Sequence, residues 1–305
     1  MIRRLLLSVG CLFVVTSCAL GADDQYFDSN GVKIHYVIKG EGEPVVLIHG
    51  FTADIDKNWG SQSASADSNG ERLSVMDRLA KNYQVIAIDN RRHGKSGKPH
   101  DPKQYGVEMA EDVVRLLDHL KIAKAHVVGY SMGGIITAKL LVTHPDRLLS
   151  ATLGGHSGIR EGEPTEFYDE LAKSLEEGKG FGPLIERLTP AGNPKPAPAQ
   201  VALINAMLTN SNDVKALAAA VRGFQGLAID PKKLESNRVP AMAIVGERDP
   251  LKKGVDALKD HASNIKIVIV KGTDHMSTIP SPDFIKNLLE FLGEHSSKGK
   301  LKKAG

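Results

Sequence analysis

Short, largely apolar runs recur along this chain, at residues 45–48, 85–88, 125–128, 148–153, 241–245 and 265–270. Each is closed by turn-forming residues: His49-Gly50, Asp89, Gly129, Gly154-Gly155, Gly246 and Lys271-Gly272. Runs of this kind suit strands whose two side-chain rows both face other protein rather than water. Helical spacing lies between them. Val107, Ala110, Val113, Val114, Leu117 and Leu120 fall on one face of a helix, 135–142 forms another halted by His144-Pro145, and Ser281 caps a last one over 282–292. Asn30-Gly31 between 26–27 and 32–38 is a two-residue hairpin signal. Alternation of strand and helix predicts an α/β fold, a mostly parallel sheet of eight strands with helices on both faces.

The pattern stops between residues 157 and 238, where helical pieces at 199–208 and 214–224 replace strands. This segment is expected to be a helical lid, inserted before the penultimate strand. The core is then 22–156 together with 239–295, and 296–305 is expected to be a disordered basic tail. Within the lid, Ala202, Leu203, Ile204, Ala206, Met207 and Leu208 read as the buried face of a helix, with a substrate-facing surface as the alternative. Trp59, in a polar loop after Gly50, is expected to serve packing.

The first 21 residues read as an export signal: Arg3-Arg4, an apolar stretch over 5–15, then small residues. The stretch is too short to span a bilayer well. Ala19-Leu20-Gly21 resembles a signal-peptidase site, whereas Val15-Thr16-Ser17-Cys18 resembles a lipobox whose Cys18 would carry a lipid anchor. Cys11 and Cys18 are the only cysteines, so the exported domain would have no disulfide, thiolate metal site or cysteine nucleophile. The formal charge of +3 drops to +1 without Arg3 and Arg4, and to −3 without Lys298, Lys300, Lys302 and Lys303. The basicity belongs to the two ends, which argues against a nucleic-acid partner. Scattered histidines and the absence of a His-Glu-x-x-His run predict no metal and no cofactor.

Gly129-Tyr130-Ser131-Met132-Gly133 has the form G-x-S-x-G between a buried-strand run and a helix. A sharp turn there would lift Ser131 above the strand end, with the helix N-terminus facing a developing oxyanion. A serine hydroxyl needs a base to become a nucleophile. His275 follows the last apolar run and Asp249 the one before it, giving the order Ser131, Asp249, His275. Asp249 is read as the acid that orients His275, with Glu247 and a helix-capping role for Asp249 as alternatives; Asp274 is read as a surface residue.

These motifs, with His49-Gly50-Phe51-Thr52 and Asp89-Asn90-Arg91-Arg92-His93-Gly94-Lys95-Ser96, resemble the α/β-hydrolase family from about residue 26 to 293. The resemblance implies Ser131 as nucleophile, His275 as general base and Asp249 as its partner, with oxyanion donors at the backbone N–H groups of Phe51 and Met132. It implies a bracing role for His49. Arg92 departs from the commoner pattern, which has glycine there, so the turn is expected to differ. The expected activity is an exported serine hydrolase that cleaves a carboxylic ester or related acyl compound with water as co-substrate. Carbon–carbon bond hydrolysis, lactone opening and cofactor-free perhydrolysis or haloperoxidase-type activity are alternatives with the same triad. A silent binding protein on the same fold is an alternative of another class.

Overall fold

Asn30 and Gly31 both take positive φ, 55° and 81°, as a tight hairpin twisted to match its strands requires. They join β1 (Gln25–Ser29) to β2 (Val32–Lys39) in antiparallel register. The computed structural model describes residues 23–66, 69–159, 165–190, 192–262 and 264–297. The leader, with Cys18 and both processing sequences, therefore lies outside the described residues, as does the tail from 298. Ser297, which the sequence reading assigns to the tail, instead donates its N–H to Glu43.

After β3 (Glu43–Ile48) the chain forms α1 (Ile55–Asn58), a two-stranded ribbon of β4 (Ser65–Ala66) and β5 (Arg72–Leu73), and α2 (Val75–Leu79). Then follow β6 (Tyr83–Ile88), α3 (Val107–His119), β7 (Ala125–Tyr130), α4 (Met132–Thr143) and β8 (Leu148–Gly154). Helices α5 (Glu166–Glu176), α6 (Gly182–Arg187), α7 (Pro198–Asn210), α8 (Val214–Gly223) and α9 (Pro231–Glu235) separate β8 from β9 (Ala241–Gly246). The chain closes with α10 (Lys252–Asp256), α11 (Leu258–His261), β10 (Ile265–Val270) and α12 (Pro282–His295).

The main sheet has eight strands in the order β1-β2-β6-β3-β7-β8-β9-β10. From β6 to β10 every pairing is parallel, so the carboxyl ends of these strands share one rim. Alternate residues of β3 serve two cores. Val46 and Ile48 pack with α3 and α4, whereas Val45 and Leu47 pack with α2 and α12. Two buried faces explain the apolar runs. Trp59 is fully buried in the second core, in the packing role expected of it.

One expectation fails. Helix α7 has no buried residue, and Leu203 and Met207 are 71% and 62% exposed. The helix touches α6, and among the described residues nothing covers Leu203 and Met207, so composition alone misjudged its burial. Among the described residues, no helix is long and apolar enough to cross a membrane.

Candidate active site

Residues after the parallel strands meet at the shared rim. Ser131 sits between β7 and α4 with φ 56° and ψ −115°, a region that few side chains occupy. Its N–H donates to the Gly154 carbonyl at 2.7 Å, which ties the turn to β8. The glycines of the motif are sterically required: a Cβ on Gly129 would lie 2.0 Å from the Gly133 carbonyl oxygen, and one on Gly133 would lie 2.0 Å from the Ile48 oxygen. Met132 opens α4, so its N–H belongs to the first turn and has no acceptor within the helix.

The His275 Nδ1 lies 2.8 Å from Asp249 Oδ2, with both side chains buried. A carboxylate only accepts, so Nδ1 is the donor in this bond. The second oxygen of Asp249 accepts from the Leu251 N–H at 2.9 Å. The aspartate therefore makes the imidazole contact and a turn contact, whereas α10, the helix it was weighed as capping, has Leu251 at its N-cap and no side-chain cap bond. Glu247 instead accepts from the Gly272 N–H at an exposed position. Asp274 accepts from the backbone N–H groups of Met276 and Ser277 and shapes the turn. Tyr130, next to Ser131, donates its hydroxyl to the His275 carbonyl at 2.7 Å. Burial pushes the Tyr130 pKa well up, which keeps that donor protonated.

Phe51 and Ser131 share the wall of a narrow, half-open cavity. Ile135, Leu171, Leu184, Phe167 and Phe224 make it mostly apolar. Arg187 is a cation on its rim and lies 4.3 Å over the Phe167 ring. His156 also lines it, with Nδ1 accepting from the Gly158 N–H at 3.1 Å. The sequence reading missed His156, although its place just after β8 marks it as a strand-end residue. The cavity residues of α5 and α6 carry no such mark.

His49 is fully buried and braces the loop: Nδ1 donates to the Gly50 carbonyl at 2.8 Å, and Nε2 accepts from the Asn90 N–H at 3.0 Å. Burial lowers its pKa, so the ring is neutral. Arg91 grips Asp112 with two bonds of 2.6 Å, both groups buried. Arg92 does enter the positive region, at φ 81°, rather than avoiding it.

Residues 43–279 match the sequence model of the alpha/beta hydrolase fold. The chain belongs to the alpha/beta hydrolase family. This alpha/beta hydrolase is 27% identical over 291 residues to a 2-hydroxy-6-oxo-6-(2'-aminophenyl)hexa-2,4-dienoic acid hydrolase of Metapseudomonas resinovorans, covering 90% of this chain and 92% of that one. Over 168 residues it is 36% identical to the dihydrolipoyllysine-residue acetyltransferase component of an acetoin cleaving system of Cupriavidus necator. That match spans 54% of this chain but only 40% of the relative. Among solved structures, a hydrolase from Pseudomonas aeruginosa superposes with TM-score 0.71 at 22% identity, over 89% of this chain and 98% of that one. An N-acyl homoserine lactone degrading enzyme superposes with TM-score 0.66 at 28% identity, over 87% and 99%.

Proposed function

We propose that this alpha/beta hydrolase is an exported serine hydrolase that cleaves a carboxylic ester or related acyl compound through an acyl-enzyme. The observation that carries the reading is the strained Ser131 turn, tied through Tyr130 to a His275–Asp249 pair and opening on an apolar cavity. In this mechanism Ser131 Oγ attacks the substrate carbonyl and gives its proton to Nε2 of His275. Asp249 holds the ring by Nδ1–H and stabilises the imidazolium. The carbonyl electron pair becomes an oxyanion that accepts from the backbone N–H groups of Phe51 and Met132. As the C–O bond breaks, the imidazolium passes its proton to the leaving alkoxide, which departs as the alcohol. Water then attacks the acyl-enzyme, giving up a proton to His275, and the proton returns to Ser131 Oγ as the acid leaves.

The leader residues 1–21 support export, with Cys18 as the residue that a lipid anchor would use. Mass spectrometry of the mature N-terminus distinguishes cleavage after Gly21 from acylation at Cys18. Carbon–carbon bond hydrolysis is the second reading, favoured by the near full-length relative whose name is a dienoic acid hydrolase. A panel of p-nitrophenyl esters of graded chain length, run beside a vinylogous diketone acid, tests the choice. The acyl reading expects turnover of the esters with a preference for apolar acyl groups that fit the cavity. Turnover of the diketone alone would reverse it.

A further inference from the structure

Arg92 breaks several local rules at once. It is a non-glycine residue at φ 81°, it is 1% exposed, and its Nε and Nη1 have no hydrogen-bond partner among the described residues. Among the described residues no carboxylate is hydrogen-bonded to it, and burial pulls its pKa down to about 9, with Tyr105 and Asp213 opposing. Backbone strain and orphaned buried donors each carry a cost, and such costs persist where function holds them. The two contacts that Arg92 does make point in different directions. Nη2 donates to Asn212 Oδ1 at 3.0 Å, on the turn between α7 and α8. The guanidinium carbon lies 5.5 Å over the ring of Phe51, whose other face-to-edge neighbours are His93 and Phe224.

Asn212 is itself fixed, because its Nδ2 donates to the Leu208 carbonyl in the last turn of α7. Next to it Asp213 caps α8 and meets His100 Nε2 at 2.9 Å. The turn is thus docked on the core at the root of α7, the helix with no buried residue.

We propose that Arg92 is a positioning residue that couples the α7–α8 turn to the Phe51 loop, so that the placement of the lid sets the placement of the oxyanion donor. The coupling rests on the reading of the Phe51 N–H as that donor. A planar guanidinium can stack on the ring and bond to the amide together, which an ammonium or a neutral chain cannot do. A misplacement of the donor by about 1 Å is worth roughly 100-fold in rate.

Two variants test it. Arg92→Met fills the same volume without donors or charge, and Asn212→Leu removes the acceptor of Nη2 together with the Nδ2 bonds that fix the turn. In both, kcat for an ester is expected to fall roughly 10- to 100-fold with KM held within about threefold. Hydrogen exchange at the Ala53 amide, which donates to the Gly50 carbonyl at 3.3 Å, is expected to quicken in both variants while exchange in β7 stays unchanged. Arg92→Lys is expected to recover only part of the loss. Wild-type exchange at Ala53 in both variants would overturn the coupling, and so would rate losses that merely track a global fall in Tm. The exchange measurement needs no turnover. Labelling of wild-type Ser131 by a fluorophosphonate tests the hydrolase reading by itself.

Discussion

The Tyr130 hydroxyl donates to the backbone carbonyl of His275 at 2.7 Å, joining the residue beside the candidate nucleophile to the residue that carries the candidate base. Their rings lie 5.3 Å apart. Residues 145 positions apart in the chain are thereby held in one assembly, which no single strand-end loop could do alone.

Tyr130→Phe keeps the ring and removes this bond. A buried carbonyl then lacks its partner, so stability is expected to fall by about 1–2 kcal/mol. The loop carrying His275 gains freedom, and kcat is expected to fall roughly tenfold with little change in KM. Urea unfolding together with ester kinetics measures both. An unchanged kcat would remove the bond from the catalytic account.

Asp89 is a structural counterpart at the same rim. It is 2% exposed and accepts from the Ile55 and Lys95 N–H groups and from His35 Nδ1. Burial by itself would raise its pKa, but these hydrogen bonds hold it below the ordinary 3.8. The native state therefore binds fewer protons than the unfolded state around and below that value. Its contribution is present above pH 3.8 and disappears as pH falls through the depressed native value. Asp89→Asn is expected to cost about 1–3 kcal/mol at pH 7. The gap to wild type, read from urea midpoints across pH, is expected to narrow on acidification below pH 4.

The sheet was legible because its evidence is local. Each of the runs ending at His49, Asp89, Gly129, Gly154, Gly246 and Lys271 became a strand, and the rim followed from parallel topology. Ser131, Asp249 and His275 could be named because each follows such a run, whereas Phe51 was named only through the family resemblance. Helices α1 and α2 were hidden in a segment read as a polar loop, since four or five residues are too few to show a helical stripe. The strain at Arg92 and the cavity face of α5 depend on contacts distant in sequence, so no local pattern announced them. Helix α7 misled for the opposite reason: its apolar residues are real, but nothing packs over Leu203 and Met207 among the described residues.

That exposure makes its own prediction. Leu203→Ser combined with Met207→Ser is expected to shift stability by less than about 0.5 kcal/mol per site, as for surface positions. A Leu to small-residue change in a core would cost several times more. Thermal unfolding of the double variant separates the two cases, and a large loss would mean that α7 is covered in solution.

The central claim is that Ser131 is an activated alcohol. Incubation with a fluorophosphonate, followed by peptide mass spectrometry and an ester assay, tests it most directly. One adduct is expected, on Ser131, with activity lost in proportion, and no adduct or activity in a folded Ser131→Ala variant. A folded wild-type protein that stays unlabelled, or that keeps its ester activity after Ser131→Ala, would contradict it.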